Sequence, residues 1–246
     1  MRVALYNQMF SMNGRSLFSS VTGHHKVHYQ SDPELIYAKT NLTDTLDLIE
    51  SVDADIQGIC EVLGNQEEQL NYALQEKGYE CFFGKGHKTK HSSLDVKVAI
   101  ASKFKGFKKP SEDFPVSNEK GGGGGFVHCY FPEMNLDVLN IHLASPRKFK
   151  LYSEELAYLS ERLKGLDKNV IIMGDFNKTF RKLEKGRCFH RRNLVTNELK
   201  TFCTTTFLNL FFNKDFDHIF VRGLEGINCG VVEGMSDHRL IYADLK

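Results

Sequence analysis

The chain has 246 residues, 41% of them hydrophobic and 26% charged, with a formal net charge of +1. A chain of this length buries roughly 70–75% of its unfolded surface, so it needs no disulfide staples. Its balanced charge excludes a globally basic nucleic-acid binder, so affinity for polyanions has to come from local clusters.

Residues 2–6 (RVALY) read as a strand. The opening MRVALYNQMF is too short and too polar for a signal h-region. A helix over 33–51 follows, with Asp32 as its cap, Pro33 in its first turn and Leu35, Leu42, Leu46 and Ile49 on one face. It leads to a strand over 55–60 that ends at Glu61. A second helix, 65–78, is closed by Gly78, and strands follow near 79–83 and 96–102. FVHCYF (126–131) and LDVLNI (136–141) flank the Pro-led turn 132–135 and predict an antiparallel hairpin. A third helix over 153–166 is capped by Ser153 and turns Leu156, Leu159 and Leu163 inward. Strand 169–173 then runs into Gly174-Asp175-Phe176-Asn177. Strands at 217–221 and 238–245 close the chain, and 204–216 is expected to be a buried strand rather than a membrane-inserting segment.

Mixed helices and hairpins predict an α/β (α+β) fold of sheets packed on each other and covered by helices. The order helix, strand, carboxylate occurs twice, at Glu61 and at Asp175. With no Pro- or Ser-rich linker, residues 1–246 are expected to form a single domain. No run of about 18 apolar residues is present. The cysteines are scattered, without a Cys-x-x-Cys pair. These features predict reduced thiols and a cytoplasmic location.

Polar residues collect at the predicted strand ends: Asn7, Glu61, Asn140, His142, Asp175, Asn177, Asp217, His218, Asp237 and His238. Each alone has a structural explanation as a turn cap or a satisfied core histidine. Together they suit hard-metal phosphoryl chemistry. Carboxylate and carboxamide oxygens bind Mg²⁺ or Mn²⁺, and the Cys and His spacing of a structural zinc site is missing. An Asp can take a proton from water, an Asn can donate to a phosphoryl oxygen, and a protonated His beside an Asp can neutralise developing charge.

GDFN (174–177), SDHR (236–239), NIHL (140–143), DHIFV (217–221), ICEV (59–62) and YN (6–7) stand in the order of the endonuclease/exonuclease/phosphatase superfamily, which the chain resembles over nearly its whole length. The resemblance implies the DNase I-like fold, a four-layer sandwich of two mixed sheets flanked by helices. It implies Asn7 and Glu61 as metal ligands with Asp237 near the same ion, Asp175 on the attacking water and Asn177 on the phosphate. His238, paired with Asp217, would face a phosphoryl oxygen, and His142 resembles the second histidine of DNase I and the sphingomyelinases. There are departures. Cys60 replaces the glutamine that usually precedes the metal Glu, Lys97 replaces a glycine, and Asp215-Phe216-Asp217-His218 stands where many nucleases have Arg-x-Asp-Tyr.

The basic stretch at 178–192 reads equally as a phosphate-tracking loop or as solvated surface, and the one at 84–109 more as solvated surface. Lys178, Arg181 and Lys182, with Asn140, are the candidate substrate contacts. Gly121–Gly125 reads as a mobile loop, and Cys188 and Cys203 receive no chemical role. The expected activity is Mg²⁺- or Mn²⁺-dependent hydrolysis of nucleic-acid phosphodiesters by a monomer, with a phospholipid or small phosphate ester as the alternative substrate. A non-catalytic binding module would have lost a site residue, and none is lost.

Overall fold

Strands that are apolar on both faces need two partners, a second sheet on one side and a helix on the other. The computed structural model describes residues 1–12, 41–88, 94–110, 114, 125–166, 169–177, 193–194, 199–200 and 216–246, and supplies both. In chain order the strands are β1 (Arg2–Asn7), β2 (Ile56–Leu63), β3 (Glu80–Phe83), β4 (His87–Lys88), β5 (Asp95–Ser102), β6 (Phe107–Lys108), β7 (Gly125–Phe131), β8 (Leu136–His142), β9 (Asn169–Asp175), β10 (Asn193–Leu194), β11 (Leu199–Lys200), β12 (Asp217–Arg222), β13 (Gly226–Val232) and β14 (Leu240–Leu245). The helices are α1 (Leu42–Val52), α2 (Glu67–Glu76) and α3 (Phe149–Lys164).

One sheet runs β13-β14-β1-β2-β5-β3, with β4 also on β5; the other runs β12-β9-β8-β7-β6, and β10 and β11 pair separately. Val3, Leu5, Val98 and Ile100 of the first sheet meet Val127, Val138, Ile171, Met173 and Ile219 of the second in the central core. The alternate residues face outward. Leu139, Ile141, Val170 and Ile172 pack against Leu159 and Leu163 of α3. Ile59, Val62 and Ala99 pack with Ile49 of α1 and with Leu70 and Leu74 of α2. The result is the four-layer order of helix, sheet, sheet, helix that the resemblance implies.

Among the described residues only two strand pairs are parallel, β1 with β2 and β8 with β9. Each is joined through a helix, α1 or α3, because parallel strands need a crossover. The duplicated helix–strand–carboxylate order in the sequence is therefore a duplicated βαβ unit, one in each sheet.

Some element boundaries move. Helix α3 begins at Phe149, with Lys148 at its N-cap and no side-chain cap, so Ser153 lies inside the helix. Leu151, Tyr152 and Glu155 are buried, and that inward face extends the helix toward β8 beyond the serine. Helix α2 ends as expected: Gly78 adopts φ +82°, and the N–H groups of Gly78 and Tyr79 donate to the carbonyls of Gln75 and Leu74 at 2.9 Å each, a Schellman closure. Strand β13 was not foreseen, since GINCGVV carries two glycines and no regular alternation. The expectations for residues 32–40, 121–124, 178–192 and 201–215 lie outside the described residues. Among the described residues no helix is long and apolar enough to cross a membrane.

Candidate active site

Three neighbouring strands of the second sheet end in one polar row. His142 on β8 lies beside Asp175 on β9 in the parallel register, and Asp175 lies beside Asp217 on β12. Directly paired residues point to the same face of a sheet. Asp175 shares parity with Ile171 and Met173, so the row faces the other sheet. From that sheet Asn7 arrives at the end of β1 by the same parity as Val3 and Leu5.

Glu61 arrives differently. Ile59 and Val62 pack toward the helices, and between them β2 carries an extra residue against β5, a β-bulge. Glu61 takes φ +58° there, and this left-handed turn brings its carboxylate inward. His142 Nε2 lies 3.9 Å from Glu61 Oε1 and 3.6 Å from Asp175 Oδ2.

Asp175 is fixed at both oxygens. Oδ1 accepts the Asn177 backbone N–H at 2.7 Å, an Asx turn, and Oδ2 accepts Asn7 Nδ2 at 3.1 Å. Asn177 sits half-buried at φ +52°, its Nδ2 donating to the Leu143 carbonyl at 2.8 Å. Gly174 makes the approach possible. It adopts φ +149°, and a Cβ there would stand 1.9 Å from the Ile141 carbonyl oxygen on β8.

His238 comes from the turn before β14. Its Nδ1 donates to Asp217 Oδ2 at 2.5 Å, which leaves Nε2 facing Asp175 Oδ2 and Asp237 Oδ1, each at 3.9 Å. Tyr6, the neighbour of Asn7, anchors this turn by accepting the Ser236 N–H at 3.2 Å, and the Ser236 hydroxyl donates to Asp237 Oδ1 at 3.3 Å. Burial alone opposes charge on His238, but Asp217, Asp237 and Asp175 outweigh it and raise its pKa well above the imidazole value. Burial, countered by His238, pushes Asp217 up to about 6.

The structure thus brings Asn7, Glu61, His142, Asp175, Asn177, Asp217, Asp237 and His238 to one end of the two sheets. It departs from the sequence expectation in three places. Asn140 is fully buried, and its Nδ2 donates to the carbonyls of Ile59 and Ala99 at 3.0 and 2.8 Å. It braces one sheet against the other and has no surface to offer a substrate. His218 points to the α3 side, stacked on Phe220 and edge-on to Phe176. Asn7 presents its nitrogen, not its oxygen, to the two carboxylates, while its Oδ1 accepts the Met9 N–H at 3.1 Å. Lys178, Arg181 and Lys182 lie outside the described residues. Two sequence departures find structural roles: Cys60 faces the core 3.5 Å from the Ile141 carbonyl, and Lys97 pairs with Glu67 at the start of α2. Sequence reading gives no role to Tyr6, Gln8 and Ser236, which hold the site from behind; their adjacency to Asn7 and Asp237 is the signal that marks them.

The donor set fits a divalent cation. Donor atoms of Glu61, His142 and Asp175 all lie within 4.8 Å of one another, as do those of Asp175, Asp217 and His238. Glu61 Oε2, His142 Nδ1 and Asp217 Oδ1 are buried without a hydrogen-bond partner. Buried orphan atoms of this kind are costly unless an ion or ligand satisfies them.

A model of the endonuclease/exonuclease/phosphatase family matches residues 36–238. Among curated proteins none matches the sequence. Among solved structures, an endonuclease/exonuclease/phosphatase from Beutenbergia cavernae superposes with a TM-score of 0.64 at 16% identity, covering 100% of this chain and 71% of that one. A 3′ phosphatase from Neisseria bound to a product DNA hairpin gives 0.60 at 14% identity, covering 100% and 99%. A mannosyl-6-phosphatase from Bacteroides thetaiotaomicron gives 0.56 at 17% identity, again covering 100% and 99%. At these identities the superpositions establish a shared fold.

Proposed function

Because the chain belongs to the endonuclease/exonuclease/phosphatase family, we propose that it is a divalent-metal-dependent phosphodiesterase acting on nucleic acid. The observation that carries this reading is the convergence of Glu61, Asp175, Asp217 and Asp237 with two histidines at the ends of facing sheets, with buried oxygens left unsatisfied. Glu61, assisted by Asn7 once its amide oxygen turns inward, would hold a Mg²⁺ or Mn²⁺ ion, with Asp175 beside it on the attacking water. When bound, the ion supplies positive charge to the phosphoryl oxygens and lowers the barrier to in-line attack.

The chain's own groups do the rest. Asn177 N–H locks Asp175 Oδ1, so Oδ2 is the atom that orients water and accepts its proton. Asp217 takes the Nδ1 proton of His238 as a hydrogen bond, so the second ring N–H points at the site and can donate to a phosphoryl oxygen. His142 Nε2, 3.9 Å from Glu61 Oε1 and 3.6 Å from Asp175 Oδ2, sets an imidazole beside these carboxylates. Asn177, half-exposed beside them, is the group placed to meet the phosphate.

Nucleic acid is favoured over a small ester by the DNA-bound neighbour. The sugar-phosphate neighbour keeps a small phosphate ester as the second reading. A substrate panel separates them: a labelled oligonucleotide, bis-p-nitrophenyl phosphate, mannose 6-phosphate and a sphingomyelin vesicle, each with Mg²⁺ and with EDTA. The proposal expects Mg²⁺-dependent oligonucleotide cleavage that falls steeply with salt, since phosphate contacts release counterions. Phosphate release from mannose 6-phosphate alone would reject the nuclease reading.

A further inference from the structure

Strand periodicity would turn Glu61 away from the site. Cys60 faces the second sheet, and a regular strand would send position 61 back toward the helices. The bulge and φ +58° reverse this. A left-handed backbone at a non-glycine residue persists only where its surroundings over-determine it.

Those surroundings are two buried glutamines. Gln8 N–H donates to the Cys60 carbonyl at 3.2 Å, and Gln8 Nε2 donates to the Glu61 carbonyl at 3.3 Å, so one residue grips both carbonyls around the turn. Gln66 Oε1 accepts the Leu63 N–H at 3.2 Å and lies 3.4 Å from Gln8 Nε2. The chain of contacts continues from Ser11 Oγ to Gln8 Oε1 at 3.0 Å and from Thr45 Oγ1 on α1 to Ser11 Oγ at 3.3 Å. Gln8 and Gln66 are 1% and 3% exposed, so neither meets substrate or solvent. Gln8 Nε2 and Gln66 Oε1 each bond the backbone of the turn that aims Glu61. The aimed carboxylate in turn keeps Oε2 buried and without a partner.

We propose that Gln8 and Gln66 are a positioning pair that fixes the Glu61 bulge and thereby sets the affinity of the site for its divalent cation. This rests on the metal-dependent reading above. The test is calorimetric titration of Mn²⁺ alone into the full chain, wild type and Gln8→Met, with Leu159→Ala in the α3 core as a control for general destabilisation. Gln8→Met is expected to weaken Mn²⁺ binding about tenfold or more, the usual effect of losing a group that supports a ligand. Leu159→Ala should lower the thermal midpoint and leave Mn²⁺ affinity as in wild type. Equal affinity in Gln8→Met and wild type, or an equal loss in Leu159→Ala, overturns the positioning role alone. A wild-type chain that takes up no Mn²⁺ overturns the metal-dependent reading and the positioning role with it. If Gln8→Met does not fold, Gln66→Met carries the same prediction from the other side of the pair. Ser11→Ala then predicts a smaller loss, and unchanged affinity in these variants counts against the proposal.

Discussion

Asp217 and His238 titrate as a unit, and the unit has a working range. As pH falls through about 6, Asp217 takes up a proton and ceases to hold His238. As pH rises through the raised pKa of His238, the imidazole loses its charge. Activity should therefore plateau between these limits. Asp217→Asn removes the chief group that favours His238⁺, so the alkaline limb of its pH–rate profile should move to lower pH. A limb that stays in place would show that His238 is not the group being read. Gly174 makes a separate prediction about stability. Any side chain there collides with the Ile141 carbonyl in a backbone that L residues rarely adopt. Gly174→Ala should lose about 3–5 kcal/mol in urea unfolding, and a loss near zero would contradict the close β8–β9 approach.

The elements explain what was legible in the sequence and what was not. The Gly-Asp-x-Asn and Ser-Asp-His stretches follow regular strands or turns, so their local pattern already tells where their side chains go. Glu61 was found by its position after a strand, but its facing was not, because a bulge is a tertiary event that period-two counting misses. Asn140 failed for the opposite reason. It lies within a regular strand, so its parity sends it into the central core, where its amide satisfies carbonyls of the opposite sheet. Asn140→Ala should therefore cost about 2–3 kcal/mol through the orphaned carbonyls and lost packing, while the folded fraction keeps wild-type turnover. Reduced turnover per folded molecule would restore Asn140 to the substrate side. The start of α3 was misplaced because Ser153 is a good cap by composition, yet the buried face of Leu151 and Tyr152 extends the helix past it.

At the scale of the whole molecule, two βαβ units bring Glu61, His142 and Asp175 together, and β12 and the turn before β14 add Asp217, Asp237 and His238, so that four carboxylates stand against two histidines. Like charges held this close destabilise a metal-free chain, and function is the reason to keep them. Mg²⁺ should raise the thermal midpoint of the wild type, by an amount that grows with the logarithm of its concentration above Kd. Glu61→Gln should melt higher than wild type without Mg²⁺ and lose most of the Mg²⁺ response. A Glu61→Gln chain that responds like wild type would place the cation elsewhere. The central claim is that this one cluster cleaves phosphodiesters with a divalent cation, and plasmid nicking by purified wild type and His238→Ala tests it most directly. Nicking by the wild type with Mg²⁺, none with EDTA, and a loss of about a hundredfold or more in His238→Ala, on the order of losing one donor to the charge that develops in the transition state, is the predicted result. Nicking that survives EDTA or persists undiminished in His238→Ala would contradict it.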